Sequence, residues 1–270
     1  MVTAGMVNTE GTTSTEITDI TETKDLIGRM IDVHTHFLPG IDDGAGSVEE
    51  SLQMLTDSKT QGVAACVATP HCILHRAGDM ERFLTMRAEA YERLRLAAES
   101  AGCDIPEIYL GGEVYLDNNI IKKFDGVERL CFSGTNYILV ELPRQRLDKR
   151  ITEWIFALTI KGLNPILAHV ERTSRKELDE IGIWDLDIIF QINAESFMNF
   201  ASRRELKKIF THDKKFVVGS DMHNIVSRPQ CMLKAREISQ KKFSWMTDEM
   251  FYANSKNILR NSAIYGENHY

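Results

Sequence analysis

The sequence predicts an α/β fold in which seven parallel strands close into a TIM-like (β/α)7 barrel. Three observations lead there: short apolar runs recur along the chain, helical periodicity fills the gaps, and metal-capable residues fall where the runs end. The runs are Met30–His34, Val63–Thr69, Glu107–Gly111, Tyr137–Leu142, Pro165–His169, Ile188–Asn193 and Phe216–Ser220. Continuous apolar stretches of this length fit strands covered on both faces. Strand–helix alternation predicts a parallel sheet, and seven repeats predict closure; an open doubly wound sheet is the other arrangement the pattern allows.

The intervening segments carry their own signals. Ser47-Val48-Glu49-Glu50 is a capping box, followed by Val48, Leu52 and Leu55 on one helical face. Asp79 is placed to cap a second helix with an inner face of Phe83, Ala90, Leu94 and Ala97, ending near Gly102. Segments 152–162, 202–212 and 248–260 read as further helices. No Pro/Gly-rich linker interrupts residues 29–262, which are expected to form one domain. Residues 1–28 read as a disordered tail, because their Thr, Glu, Ser and Gly cannot bury enough surface to offset ordering entropy. Residues 263–270 read as a loose C-terminal tail.

Composition narrows the function. The formal charge of −7 argues against nucleic-acid binding through a broad basic surface, and residues 1–29 alone carry five acids and two bases. No apolar run approaches the ~20 residues needed to span a bilayer. The start of the chain shows no signal-peptide pattern, and the five cysteines have no disulfide-like spacing. Both features point to a reducing, cytoplasmic setting. Oligomeric state is left open.

The chemistry is signalled at the run ends. Asp32, His34 and His36 lie at and past the end of the first run, and His71 follows the second. Glu113 follows the third, Glu141 and His169 end the fourth and fifth, and Asp221 and His223 follow the last. In a parallel barrel these ends meet at one face, so six of seven strands would deliver His, Asp or Glu to one mouth. At a strand end residues i and i+2 share a side, which lets both imidazoles of His34-Thr35-His36 reach one ion. Imidazoles and carboxylates without thiolate favour Mn, Fe, Zn or Mg. Several carboxylates near several ions suit phosphate esters, because paired ions can activate water and clamp phosphoryl oxygens. Asp32 is expected to orient a ligand imidazole.

These residues sit in motifs that resemble a known family. Ile31-Asp32-Val33-His34-Thr35-His36-Phe37-Leu38-Pro39-Gly40-Ile41-Asp42-Asp43-Gly44 is similar to the opening of the PHP (polymerase and histidinol phosphatase) superfamily. More closely it resembles the bacterial manganese-dependent tyrosine-protein phosphatases of capsule and exopolysaccharide loci. The resemblance continues through Ala68-Thr69-Pro70-His71, Gly112-Glu113-Val114, Val140-Glu141-Leu142-Pro143, Ala168-His169-Val170-Glu171-Arg172 and Gly219-Ser220-Asp221-Met222-His223-Asn224. Cys72 and Val170 depart from the common pattern without removing a proposed ligand.

The resemblance implies a distorted seven-stranded PHP barrel with three divalent ions, manganese foremost. By position, His34, His36, Glu113 and Asp221 would hold one ion. Glu113, Glu141 and His169 would hold the second, and Asp43, His71 and His223 the third. Asp42 and Asp43 are separated only by the family register. Arg172 and Arg228 are expected to grip phosphate through guanidinium forks, and His223 or water to assist the leaving phenolate. The implied substrate is protein phosphotyrosine, in the tail of a bacterial autokinase controlling polysaccharide export. Another PHP phosphoesterase, acting on histidinol phosphate or nucleic-acid ends, is the nearest alternative reading. A metal-binding regulatory module without turnover is the other.

Covalent cysteine catalysis is not expected. That chemistry needs Arg six residues after the nucleophile, and Gly78 stands there relative to Cys72.

Overall fold

The computed structural model describes residues 30–118, 120, 125–144 and 147–261. The two predicted tails, 1–28 and 263–270, lie outside the described residues.

The architecture is α/β, with parallel sheets and helices packed on them. β1 (Met30–Thr35), β2 (Val63–Ala68) and β4 (Glu107–Leu110) form a three-stranded sheet in the order β1-β2-β4. A six-stranded sheet runs β3-β5-β6-β7-β8-β9. Its members are β3 (His71–Cys72), β5 (Glu113–Tyr115), β6 (Tyr137–Glu141), β7 (Asn164–Leu167), β8 (Ile189–Asn193) and β9 (Lys215–Gly219). Where the sequence predicts one sheet of seven strands, the hydrogen bonding gives two sheets. The second and third predicted strands appear as β2 and β4, and past Thr69-Pro70 and Gly111-Gly112 each is followed by a short strand the sequence did not predict, β3 and β5. Proline has no N–H for the ladder, and the glycine pair has no side chain to hold the pleat.

The breaks matter for position. Gly111 N still bonds to Ala68 O at 2.8 Å and Glu113 N to Pro70 O at 3.0 Å, so the rows resume one step on. His71 and Glu113 thereby become register partners in a short parallel pair, rather than loop residues past strand ends. Gly111 is required here, since a Cβ would lie 2.7 Å from the Phe132 ring. On the other side β1 meets the chain beyond β9 through a parallel bridge between Thr35 and Met222. Asp221 N donates to His34 O at 2.8 Å, and His36 N to Met222 O at 3.0 Å.

The capping box forms in part. Ser47 Oγ accepts from Glu50 N at 3.2 Å and opens α1 (Val48–Thr60), while Glu50 reaches Gly46 N rather than Ser47. α2 (Asp79–Ala101) buries Met80, Phe83, Ala90, Leu94 and Ala98, so Ala98 takes the place expected for Ala97. Asp79 does not cap this helix; Gly78 precedes it, and the Asp79 carboxylate accepts from His75 N and Arg76 N in the turn before. The remaining predicted helices appear as Arg150–Ile160, Phe200–Ile209 and Asn254–Leu259, the last preceded by a π-helical turn over Glu249–Ala253. One large apolar cluster fills the space between sheets and helices, and a smaller one, with Val33, Leu139 and Val217, lines the inside of the strands.

Candidate metal centre

Seven of the nine sequence-predicted ligands are buried or nearly so, and all nine converge on one region. His34, His36 and Asp221 place one donor atom each within 4.8 Å of one another; so do His36, Asp43, His71 and His223, and likewise His71, Glu113 and Glu141. The first group is the expected first-ion set without Glu113, and the second is the expected third-ion set with His36 added. In the third group His71 stands where His169 was expected. His169 is nonetheless close by, with Nε2 2.8 Å from Glu113 Oε1 and 3.9 Å from Glu141 Oε1. Asp43 is the outlier in burial, with a side chain 67 % exposed at the mouth, where it meets His71 Nε2 at 3.3 Å and His223 Nε2 at 3.5 Å.

Glu113 is the hub. Its Oε2 lies 2.9 Å from His71 Nδ1, 3.3 Å from His34 Nε2 and 3.4 Å from His36 Nε2, yet none meets it in hydrogen-bond geometry. His34 Nε2 and His36 Nε2 are themselves 3.1 Å apart. Two imidazole lone pairs at that separation need a cation or a shared proton between them. His223 Nε2 is also buried and makes no hydrogen bond. Orphaned lone pairs on oxygen and nitrogen, all aimed at one small volume, are the donor set that divalent ions satisfy.

The electrostatics agree. Burial pushes the Glu113 carboxyl up, but His34 and His169 outweigh it and hold the group well below its ordinary range. Asp221 is likewise lowered, its burial overcome by His34, His36 and Arg172. His34 and His36 are raised despite burial, by Glu113 and Asp221 among others. The two carboxylates thus favour positive charge at this spot, which a bound cation would supply. Burial and the His36 ring bring His223 down to about 4, so its ring is neutral at pH 7. Burial with Glu113 nearby raises Glu141.

Backbone geometry serves the same residues. His169 and Asp221 adopt left-handed φ of 30° and 54°, a region that costs a non-glycine residue on the order of 1 kcal/mol or more. Both occupy the first sharp turn after a strand, which swings their side chains into the mouth.

The family model described as capsular polysaccharide synthesis, CpsB/CapC, matches residues 30–260. The chain belongs to the CpsB/CapC family. It is 30% identical over 251 residues to the tyrosine-protein phosphatase CpsB of Streptococcus pneumoniae, spanning 87% of this chain and 100% of that one. It is 28% identical over 251 residues to the tyrosine-protein phosphatase YwqE of Bacillus subtilis, spanning 87% and 94%. Among solved structures it resembles those of YwqE and S. pneumoniae CpsB, described as unique metal-dependent tyrosine phosphatases. There the TM-score is 0.75 at 25% identity, over 87% of this chain and 96% of the other. The resemblance read from the sequence motifs is thus borne out at the level of the CpsB/CapC family.

Several motif residues have partners that the sequence did not specify. Arg172 and Arg228 both reach inward, their Nη2 atoms 2.7 and 2.6 Å from Asp221 Oδ2. Arg172 does not pair with the adjacent Glu171, whose carboxylate accepts from Asn193 N and Ser196 Oγ instead. Asp32 does not orient an imidazole. Its Oδ1 accepts from Ser220 N at 2.8 Å and its Oδ2 from Gln230 Nε2 at 2.9 Å, so it ties β1 to the end of β9. Asp42 takes the orienting role, accepting from His36 Nδ1 at 2.7 Å. His75 is exposed, and His212 stacks on Trp184 away from the mouth. Cys72 is buried with its thiol pushed up to about 12, consistent with no nucleophilic role.

Sequence reasoning missed Gln191, Asn193 and Gln230, all buried beside the site. The one available signal was polar residues inside an otherwise apolar run, Gln191 and Asn193 in β8. A cavity of about 400 Å³ adjoins the site between Glu141–Arg144 and Ala168–Ser174, with Arg172 on its wall.

Proposed function

We propose that this chain is a metal-dependent protein-tyrosine phosphatase. The observation that carries the reading is Glu113 Oε2, buried and unbonded among three imidazole nitrogens, within a chain of a family with relatives named as tyrosine phosphatases. The parallel rows, counted with β2 continued as β3 and β4 as β5, support a distorted (β/α)7 PHP barrel. Residues 29–262 would be its single domain.

His34, His36, Glu113 and Asp221 would hold one divalent ion, and Glu113, Glu141 and His169 a second. Asp43, His71 and His223 would hold a third, with manganese the expected metal. Such ions supply a water nucleophile at neutral pH and neutralise charge building on phosphorus-bound oxygens. The protein's own groups do the rest. Arg172 and Arg228 are partly exposed and already placed on a carboxylate oxygen, so they are positioned to exchange it for a phosphate and fix the ester in line. Leu142, Pro143, Leu147 and Ala168 give the adjoining cavity an apolar wall suited to the phenyl ring. His223 Nδ1 donates to Asp221 O at 2.9 Å, which leaves Nε2 as a lone-pair donor. That commits His223 to the ligand role and leaves departure of the phenolate, whose pKa is about 10, to solvent.

The family's description, capsular polysaccharide synthesis, supports a role in polysaccharide production, and a bacterial tyrosine autokinase tail is the substrate the motif resemblance implies. No helix among the described residues is long and apolar enough to cross a membrane, in keeping with a cytoplasmic phosphatase. The test is a panel on the manganese-loaded protein: phosphotyrosine peptide, p-nitrophenyl phosphate, histidinol phosphate and DNA ends. Turnover confined to the first two is expected. Preference for histidinol phosphate or DNA would reassign the substrate, and no turnover of any ester would leave a metal-binding regulatory module.

A further inference from the structure

β8 is the one long strand of the six-stranded sheet whose end supplies no proposed ligand to the mouth. It supplies two buried amides instead, Gln191 and Asn193, fully and almost fully excluded from solvent. Their hydrogen bonds form an unbroken chain. Gln191 Oε1 accepts from His169 N at 2.7 Å and from His34 Nδ1 at 3.0 Å. Gln191 Nε2 donates to Asn193 Oδ1 at 2.9 Å, and Asn193 Nδ2 donates to Asp221 Oδ2 at 2.9 Å.

The direction of this chain is forced. A backbone N–H can only donate, so His169 N fixes which end of the Gln191 amide faces it. The oxygen is then spent on acceptance, which requires a proton on His34 Nδ1 and leaves His34 Nε2 as the lone-pair atom facing Glu113 and Asp221. At the far end, the amide nitrogen of Gln191 fixes the Asn193 oxygen, and so aims the Asn193 nitrogen at Asp221. Asp221 Oδ2 is thereby occupied, together with Arg172 and Arg228, and Oδ1 is the oxygen turned toward His34 and His36 at 3.5 and 3.4 Å.

We infer that Gln191 and Asn193 are positioning residues, an amide relay that sets the tautomer of His34, the rotation of Asp221 and the left-handed turn at His169 for metal binding. One strand thereby orients ligands that come from β1, from the turn after β7 and from the turn after β9. The relay packs directly on the β9 backbone: a Cβ on Gly219 would lie 2.5 Å from His34 Cβ and 3.1 Å from Gln191 Nε2, so only glycine lets both side chains sit there.

The inference rests on the proposed metal site, and its test needs no turnover. Zinc-loaded protein with ¹⁵N-labelled histidine would be compared with Gln191→Met and Gln191→Glu, using competition with a chelator for zinc affinity. The His34 ring signal would be assigned by its loss in His34→Ala. Wild type should show His34 protonated at Nδ1 and metal-bound at Nε2. Gln191→Met should bind zinc roughly 10- to 100-fold more weakly and lose the single His34 tautomer. Gln191→Glu keeps the acceptor for His34 and His169 but not the donor to Asn193, so it should keep the tautomer with a smaller loss of affinity. If Gln191→Met does not fold, Asn193→Leu decides, with weakened zinc binding expected. Wild-type affinity and an unchanged His34 signal in the folded variants would overturn the relay alone. Failure of the wild type to bind zinc or manganese would overturn the metal site beneath it.

Discussion

At the scale of single residues, the centre works because each side chain has one unsatisfied atom and one committed atom. His36 spends Nδ1 on Asp42, His223 spends Nδ1 on Asp221 O, and both offer Nε2. Glu113 faces four imidazoles with its two oxygens, so its charge is needed more than its shape. Glu113→Gln is therefore expected to lose more than one metal ion per chain, measured by elemental analysis. Its metal affinity should drop by more than the roughly 10- to 100-fold typical of an outer orienting partner. Arg172→Ala and Arg228→Ala should retain metal but lose on the order of 100-fold in kcat/KM toward phosphotyrosine peptide. Arg172→Lys should recover little of it, because an ammonium cannot supply a two-pronged grip. Retained metal with unchanged kinetics in all three would remove the arginines from substrate binding.

At the scale of elements, the close seam between β1 and β9 sets the spacing of His34, His36, Asp221 and His223. Gly219 is the contact point, and even one methyl there meets the Cβ and backbone nitrogen of His34. Gly219→Ala should cost on the order of 1–3 kcal/mol in denaturant unfolding and lower metal content with it. A second, independent seam lies away from the mouth, where the His212 ring stacks on Trp184 at 4.1 Å and 9°. Burial draws His212 below its usual value, so the folded state prefers the neutral ring. Its stability contribution is present above about pH 6.5 and is lost as pH falls through that value toward the lowered one. Between pH 7.5 and 5.0 the wild type should lose more Tm than His212→Gln does, and equal losses would show that the stack does not titrate.

At the scale of the molecule, ion binding and folding are coupled, because the ligands come from both sheets and are scattered from residue 34 to residue 223. Without ions, Glu113 and Asp221 must be neutralised by imidazolium or arginine. With ions bound, the folded state gains about 2.7 kcal/mol for one site at free metal 100-fold above Kd. Chelation is expected to lower Tm by several degrees and readdition of manganese to restore it, with a midpoint that depends on metal concentration. A Tm indifferent to chelator would mean that the centre is empty in solution.

What the sequence determined by itself was the chemistry and its rough address. Apolar runs ending in His, Asp or Glu placed the ligands at strand ends, the motifs placed the chain among its relatives, and the spacing after Cys72 set aside cysteine catalysis. Tertiary structure decided which atom faces which. It put Asp42 on His36 and Asp43 at the mouth, a distinction the residues themselves had left to the family register, and gave Asp32 to the β1–β9 seam instead of an imidazole. It added short strands past two predicted ones and paired His71 with Glu113, and it placed both arginines on Asp221 Oδ2. The physical reason is range. Periodicity and motif spacing report contacts within a few residues, whereas the bond from His34 to Gln191 spans 157 residues and exists only once the sheets have set their register.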